Sequence, residues 1–263
     1  MDLGIRGKVA LVAGSSRGLG RAVAEELAAE GTSLILCARD EARLQETREF
    51  IQRQNDVPIL AVKADVADAA DAERVVREGL ARFGCIDILI TNVGGPPAGT
   101  FETLNRDAWE QATRSILMSV YELVRWILPG MKERRWGRIL NITSIAAKEP
   151  IPNLLLSNSL RPAVTGLART LADEVATFGV TVNTILPGYT RTERVETLAR
   201  TVAERDGIPI AELEARWEAS IPMKRMGQPR EFAALAAFLV SERASYITGG
   251  AFAVDGGWMR SLF

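Results

Sequence analysis

Three closely spaced glycines give the clearest chemical signal in the chain. Gly14, Gly18 and Gly20 follow the apolar run Val9-Ala10-Leu11-Val12-Ala13 and precede a stretch with apolar residues three and four apart. A strand, a tight turn and a helix N-terminus in this order present backbone N–H groups that can bind phosphate. The sequence therefore predicts a phosphate-binding turn suited to a dinucleotide. Its spacing differs from the G-x-G-x-x-G pattern of the commonest dinucleotide sites, so the prediction needs support from the rest of the chain.

The chain contains no histidine. This absence excludes Ser-His-Asp and Cys-His catalysis and the usual imidazole metal sites, and we expect no bound metal. Any chemistry must use hydroxyls, carboxylates, Lys, Arg, backbone groups or a bound cofactor. The two cysteines, Cys37 and Cys85, lie in apolar runs and are interpreted as buried thiols rather than a disulfide.

Short apolar runs alternate with longer stretches of helical period along the chain. Strands are predicted at residues 9–12, 33–37, 59–62, 86–90, 138–142, 181–185 and 251–254. Helices are predicted at residues 19–29, 42–52, 69–83, 106–134, 162–178 and 229–240. Such alternation requires crossover connections. It predicts a single α/β domain over residues 1–263, with a doubly wound parallel sheet of about seven strands and helices on both faces.

Three further elements follow predicted strands at their carboxyl ends. They are Asp65-Val66, the turn Asn92-Val93-Gly94, and the segment from Pro187-Gly188 to Thr192. In open α/β sheets, ligands bind in the crevice outside these strand ends. The three elements and the glycine turn are therefore expected to line one crevice, where the Asp65 carboxylate can meet an adenine edge.

The region at about 190–226 interrupts the alternation of strands and helices. It is charged and carries two predicted helices, at residues 193–205 and 211–219. Because it follows the sixth strand, it is placed to cover a ligand in the crevice. We interpret it as a lid or substrate loop; the alternative is a surface excursion without a role in binding.

These motifs resemble those of the short-chain dehydrogenase/reductase family, and in particular the 3-oxoacyl-acyl-carrier-protein reductases. Beyond the glycine turn and Asn92-Val93-Gly94, the similarity covers nearly the whole length. It includes Trp136-Gly137-Arg138-Ile139, Asn141-Ile142-Thr143-Ser144, Val182-Asn183-Thr184-Ile185-Leu186-Pro187-Gly188, Ile247-Thr248-Gly249-Gly250 and Val254-Asp255-Gly256-Gly257. The resemblance implies a Rossmann-type fold, NAD(P) binding, and a homotetramer or homodimer, the tetramer being built on two long helices.

Charge near the second strand predicts which cofactor is preferred. An acidic residue at the end of that strand would accept the ribose hydroxyls of NAD and repel a 2′-phosphate. This chain has Arg39 there, and Arg17 lies in the glycine turn. Two guanidinium groups could flank a 2′-phosphate, so NADP(H) is predicted over NAD(H); alternatively, both are solvated surface charges. The residues expected to bind the cofactor are Gly14, Ser16, Arg17, Gly18, Leu19, Gly20, Arg39, Asp65, Val66, Asn92, Gly94, Pro187, Gly188 and Thr192.

The chain departs from the family at the residues expected to do the chemistry. The family pattern has a Ser that polarises the substrate oxygen, a Tyr acid thirteen residues later, a Lys four residues beyond it, and an earlier Asn that anchors a water relay. Ser144 matches the first, but Ser157, Arg161 and Ile116 stand at the other positions. An aliphatic hydroxyl is a much weaker acid than a phenol, and a guanidinium does not give up its proton. The ordinary ketone reduction is expected to be severely impaired unless another group takes over.

Two other interpretations of these positions remain open. Ser157-Asn158-Ser159 before Pro162 is typical of a helix start, so Ser157 or Ser159 could cap a helix, with Arg161 exposed or facing a ligand. Tyr189, in the loop that borders the nicotinamide in the family, could approach a bound carbonyl as a substitute acid. The candidate catalytic residues are Ser144, Ser157, Arg161 and Tyr189.

Composition narrows the classes of function. Apolar residues make up 47% and charged residues 25%, and the net charge of −1 gives no footprint for nucleic acid or an anionic membrane. No apolar stretch approaches a membrane span and the N-terminus lacks a signal peptide, so a cytoplasmic protein acting on a small molecule is expected. We predict an NADP(H)-dependent oxidoreductase of divergent mechanism acting on a ketone or alcohol, with an acyl chain as one candidate substrate. The alternatives are a pseudo-enzyme that binds a dinucleotide or acidic ligand as a sensor or partner, and a non-redox lyase or isomerase.

Overall fold

A parallel sheet with helices on both faces organises residues 2–261, the part of the chain that the computed structural model describes. The strands are β1 (Val9–Ala13), β2 (Ser33–Ala38), β3 (Ile59–Lys63), β4 (Ile88–Thr91), β5 (Gly137–Ile142), β6 (Val180–Pro187) and β7 (Ala251–Val254). Their order in the sheet is β3-β2-β1-β4-β5-β6-β7, and each neighbouring pair is parallel. The predicted doubly wound Rossmann-type α/β fold is confirmed.

The helices cover the sheet in two layers. They are α1 (Gly18–Ala29), α2 (Glu41–Gln54), α3 (Ala69–Phe83), α4 (Arg106–Thr113), α5 (Ser119–Arg134), α6 (Leu155–Val175), α7 (Glu193–Asp206), α8 (Ile210–Ser220) and α9 (Pro229–Leu239). One apolar core joins the sheet to α3, α5 and α6, and a second joins it to α1, α2 and α9. The alternation of side chains along a strand produces both cores: Leu11 of β1 lies in the first and Val12 in the second.

The order of the strands fixes where a ligand can bind. The chain runs outward from β1 to β3 on one side and from β4 to β7 on the other, so the connections diverge between β1 and β4. A crevice forms where the connections leave the sheet in opposite directions at the carboxyl ends of two adjacent strands. The glycine turn after β1 and the turn after β4 therefore face one another across the crevice.

Two predicted helices differ from those in the structure. The helix expected over residues 106–134 is divided by a π-helical turn, Arg114–Met118, which includes Ile116. The helix expected to begin at Pro162 begins instead at Leu155 and includes the proline in its interior. Pro162 gives a misleading start signal because it is tolerated inside α6 at the loss of one backbone hydrogen bond.

The interruption after β6 contains the two expected helices, α7 and α8. Its ends are held together by a parallel bridge between Thr190 and Gly227. In this bridge Arg191 N donates to Gly227 O at 2.9 Å, and Gly227 N donates to Tyr189 O at 2.9 Å. The two ends of residues 190–226 thus lie side by side, just beyond the end of β6.

Other sequence-based expectations concern the surface and the cysteines. Cys37 is buried, as expected, whereas Cys85 is half-buried, and both thiols are free. Burial raises the pKa of the Cys37 thiol to about 12. Within residues 2–261, no helix is long and apolar enough to cross a membrane, and no group of His, Cys, Asp and Glu side chains could hold a metal ion.

Candidate active site

The glycine turn is compact because its backbone makes close contacts that side chains would prevent. Gly14 has a φ of +61°, and a Cβ atom there would lie 2.8 Å from the Asn92 side chain. A Cβ on Gly20 would collide with Gly14 O. Asn92 Nδ2 donates to Gly14 O at 3.2 Å and so joins the turn after β4 to the turn after β1. Glycine is needed here for close packing of backbone on backbone.

The N-terminus of α1 is open to an anion. The residue before it, Arg17, makes no capping hydrogen bond through its side chain, and the first turn has no acidic residue. The orphan N–H groups of that turn and the positive end of the helix dipole therefore remain available to phosphate. Thr192 lies beside Gly18 at this end of the crevice, and Leu19 packs into the core below. Ser16 contributes its carbonyl, which accepts from Thr47 Oγ1 at 3.1 Å.

A pair of arginines lies where a cofactor phosphate is expected, and only one of them was predicted. Arg17 and Arg43 both contact Glu193 Oε2, at 2.8 Å and 2.6 Å. The hydrogen bonds from Arg43 and then Arg17 hold the pKa of the Glu193 carboxyl below its usual range. One carboxylate oxygen thus accepts from two guanidinium groups, an arrangement that a phosphate oxygen can adopt equally well. The donor set suits the 2′-phosphate of NADP(H).

The other predicted arginine points elsewhere. Arg39 is exposed, and its Nη1 lies 3.9 Å from Asp65 Oδ2. Asp65 accepts from Ala67 N at 3.1 Å, and Val66 is buried beside it. The structure therefore brings Arg17 together with Arg43, one helical turn beyond Arg39, rather than with Arg39 itself. Arg43 was missed because its partner Glu193 is 150 residues away in sequence.

The turns after β4 and β6 complete the cofactor side of the crevice. The space beside Gly94 is open, as a ligand requires, whereas Gly95 lies under the guanidinium of Arg194. Arg194 Nη2 donates to Pro96 O at 3.1 Å. Across the crevice, Pro187 ends β6 and Gly188 packs closely on Asp255. The predicted cofactor residues on these strand ends thus line one edge of the sheet.

Ser144 and α6 form the other half of the crevice. Ser144 follows β5 and caps a short 3-10 turn, where its Oγ accepts from Ala146 N at 3.1 Å and keeps its own hydrogen free to donate. Helix α6 packs on that turn. Ser157 and Arg161 are four residues apart in α6, hence on one face, and both are buried. Neither Ser157 nor Ser159 caps a helix, because α6 begins before them and has no side-chain cap.

Arg161 is a buried cation. Its Nη1 donates to Thr143 O at 2.6 Å. Burial lowers the pKa of this guanidinium to about 10, with a smaller contribution from the charge of Arg194. Because the pKa stays well above neutrality, Arg161 remains positively charged at pH 7. Its burial also means that it is not the exposed side chain that the capping interpretation allowed.

A small cavity of about 10 Å³ lies against Arg161. It is lined by Thr91, Asn92, Val93, Ile116, Val120, Ile142, Thr143, Arg161 and Val164. The π-helical turn carries Ile116 to this wall; such turns recur at functional sites. Ile116 offers no hydrogen bond, so the wall that would anchor a water relay through an asparagine is apolar here.

Tyr189 lies in an aromatic cluster at the base of residues 190–226. Its ring stacks on Trp217 with centroids 5.0 Å apart and meets the edge of Trp258 at 6.3 Å. Burial raises the pKa of the phenol, and no cation lowers it. Tyr189 is thus positioned by packing, and its environment makes it a weaker acid than an ordinary phenol.

An open groove of about 390 Å³ runs beside the start of α6. It is lined by Gly99, Thr100, Phe101, Pro150, Ile151, Pro152, Asn153, Leu155 and Asn158. Asn158 shapes one wall by pairing with both backbone groups of Ile151, at 3.1 Å and 2.9 Å. The groove is mainly apolar and begins next to the turn of α6 that carries Ser157.

Comparison with known proteins shows what the chain is similar to. A family model described as enoyl-(acyl carrier protein) reductase matches residues 13–259. The 3-oxoacyl-[acyl-carrier-protein] reductase FabG of Vibrio cholerae is 32% identical over 97% of this chain and 98% of its own length. The NADPH-dependent reductase BacG of Bacillus subtilis is 29% identical over 97% and 99%. The crystal structure of L-sorbose reductase from Gluconobacter frateurii, in complex with NADPH and L-sorbose, covers 100% of both chains with a TM-score of 0.95 at 35% identity.

Proposed function

The chain belongs to the short-chain dehydrogenase/reductase family, and we propose that it is an NADP(H)-dependent oxidoreductase that interconverts a ketone and an alcohol without a tyrosine acid. The observation that carries the proposal is the crevice itself. It combines an open helix N-terminus, the paired arginines Arg17 and Arg43, and the hydroxyl of Ser144 along one edge of the sheet. The kinship with NADPH-dependent reductases supports the same cofactor.

The phosphates of the cofactor fit the positive half of the crevice. The glycine turn and the first turn of α1 would hold the pyrophosphate, with Thr192 beside Gly18. Arg17 and Arg43 would hold the 2′-phosphate in place of the Glu193 carboxylate. When bound, the cofactor supplies the hydride chemistry.

The residues in the other half bind and orient the substrate. Ser144 donates its free hydroxyl hydrogen to the substrate oxygen. Ser157 and Arg161 form a polar wall that favours polar or anionic groups. Since neither side chain is an effective acid, water supplies the proton, and the reaction is slower by roughly 10²–10⁴ than one with a positioned acid. Positioning of the carbonyl alone still gives substantial catalysis.

The apolar groove at the start of α6 accommodates the rest of the substrate. Its volume of about 390 Å³ and its apolar lining suit an alkyl or acyl chain. A chain bound there extends away from Ser157. The substrate would therefore have an apolar tail, which agrees with the similarity of the chain to 3-oxoacyl reductases.

Residues 190–226 act as a lid over the crevice in this proposal. The bridge at Thr190 and Gly227 provides a fixed base. From α7, Glu193 contacts the arginines of the cofactor half, and Arg194 contacts the turn after β4. The lid therefore contacts the crevice at two places, and its position depends on what occupies the crevice.

Transfer of deuterium tests the reaction directly. The purified protein is incubated with NADPH deuterated at the nicotinamide C4 and with a panel of 3-oxo compounds and small ketones. We expect slow but stereospecific incorporation of one deuterium at the carbinol carbon, detected by mass spectrometry. Ser144→Ala should lower the rate about 10²-fold, because one hydrogen bond to the developing oxyanion is lost. If NADPH binds and no product carries deuterium, the oxidoreductase proposal is wrong.

We also propose a homodimer or homotetramer formed through α5. Met118, Tyr121 and Trp126 are large apolar side chains exposed on this helix or at its start. Exposed apolar patches of this kind mark association surfaces. Light scattering after size exclusion should show an oligomer, and Trp126→Glu should shift it to smaller species. A monomer at micromolar concentration would contradict this assignment.

A further inference from the structure

Two arginines of the crevice lack a carboxylate partner. Within residues 2–261, neither Arg161 nor Arg194 has a carboxylate oxygen within 4.0 Å. Arg161 is only 7% exposed, whereas Arg194 is exposed overall but lays its guanidinium on Gly95. By contrast, the arginines of the cofactor half, Arg17 and Arg43, share the carboxylate of Glu193. The two unpaired charges thus lie on α6 and beside the turn after β4.

A buried cation without a counter-charge is an unfavourable arrangement. Removing the guanidinium from water costs free energy that a single hydrogen bond to Thr143 O does not offset. The charge of Arg194 has the same sign and adds repulsion. An anion bound between the two would relieve both effects.

The chemistry of the site selects a carboxylate on the substrate. The phosphate-binding elements lie at the end of β1, whereas Arg161 projects from α6 toward the ends of β4 and β5. A guanidinium has five N–H donors in a planar fork that matches a carboxylate, and Arg161 uses Nη1 on the Thr143 carbonyl.

We propose that Arg161 and Arg194 bind a carboxylate carried by the substrate, which is therefore an oxo acid or hydroxy acid. This inference rests on the proposed oxidoreductase function for the reacting carbonyl. Arg161 binds the carboxylate from the wall of the crevice, and Arg194 closes over it from α7. The substrate carboxylate thus draws the lid toward the turn after β4.

A matched pair of ligands tests this subsite. The NADPH-saturated protein is titrated by calorimetry with acetoacetate and with methyl acetoacetate, which share the ketone and differ in charge. Acetoacetate should bind at least tenfold more tightly than the ester. Arg194→Gln should reduce this preference for the acid over the ester at least threefold. Arg191→Gln is the matched control, because Arg191 lies in the same loop but is already paired with Glu218 at 2.7 Å.

The outcomes separate the subsite from the proposed function. Equal affinity for acid and ester, or no heat from acetoacetate at millimolar concentration, would overturn the subsite. Binding of acetoacetate that NADPH abolishes would also overturn it, since the arginines would then serve the cofactor phosphates. A tenfold preference for acetoacetate in a protein that does not bind NADPH would support the subsite and remove the proposed function.

Discussion

The two halves of the crevice differ in how their charges are satisfied. In the cofactor half, Arg17 and Arg43 share a carboxylate, and the glycine turn leaves a helix N-terminus free. In the substrate half, Arg161 is buried, and residues 2–261 place no carboxylate beside it. The first half suits NADP(H), and we propose that the second half binds a ligand that carries its own charge.

Cofactor binding and proton transfer to the substrate therefore depend on different residues. The cofactor half needs only backbone amides and cations, and the chain has both. Ordinary ketone reduction needs an acid of matched pKa in the substrate half, and in the mechanism that we propose Ser157 does not provide one. A fold can therefore keep its cofactor site while the residues that select and activate the substrate change.

The largest expected effect is on the rate of ketone reduction, when a tyrosine acid is introduced at position 157. The double variant Ser157→Tyr with Arg161→Lys places a phenol and an ammonium on the same face of α6, where the cation lowers the phenol pKa. We expect the rate of ketone reduction to rise by roughly 10²–10⁴ for neutral ketones. Steady-state NADPH oxidation measures this rise. No increase in a variant that still binds NADPH would mean that the substrate half no longer presents a ketone productively.

A smaller effect, on NADPH affinity, is expected when the two arginines of the cofactor half are replaced. Replacing Arg17 and Arg43 together by Gln should weaken NADPH binding at least tenfold, because each charged hydrogen bond contributes about 1.5–3 kcal/mol. NADH affinity should stay within about twofold, since it lacks the 2′-phosphate. Arg53→Gln, at the far end of α2, is the control. Parallel losses for both cofactors would contradict the assignment of the two arginines.

Helix α6 also carries a local weakness that α1 lacks. Pro162 lies in its interior, so the carbonyl one turn earlier loses its helical donor. Pro162→Ala should therefore stabilise the protein by roughly 1–3 kcal/mol and raise Tm by several degrees. Thermal unfolding measures this, and NADPH affinity should not change. An unchanged or lower Tm would show that the helix is already relaxed around the proline.

The smallest expected change in NADPH affinity comes from removing the charge of Glu193, the lid residue that contacts both arginines. Glu193 occupies both arginines, so it competes with a phosphate for them. Glu193→Gln should improve NADPH affinity about threefold and leave NADH affinity unaltered, because a neutral amide binds guanidinium more weakly than a carboxylate. Glu196→Gln, in the same first turn of α7, serves as the comparison. Weaker NADPH binding by the Glu193 variant would mean that this residue supports the site instead.

The sequence predicted the fold because its signals are local, and the cofactor residues named from it stay a prediction. Apolar runs, glycine spacing and strand ends fix β1, the glycine turn and the insertion. The start of α6 was wrong, because a serine-rich segment before Pro162 imitates a helix start. The partners of charged side chains were not predictable: Arg17 and Glu193 are 176 residues apart in sequence. The residues adjacent to Arg161 in sequence do not indicate that its side chain is buried.

The most direct test is a calorimetric titration of the purified protein with NADPH and, in parallel, with NADH. We expect micromolar binding of NADPH and at least tenfold weaker binding of NADH, because in our proposal Arg17 and Arg43 contact only the 2′-phosphate. Equal affinities would contradict the assignment of these arginines. The absence of binding by either cofactor would contradict the central claim that the crevice is a working dinucleotide site.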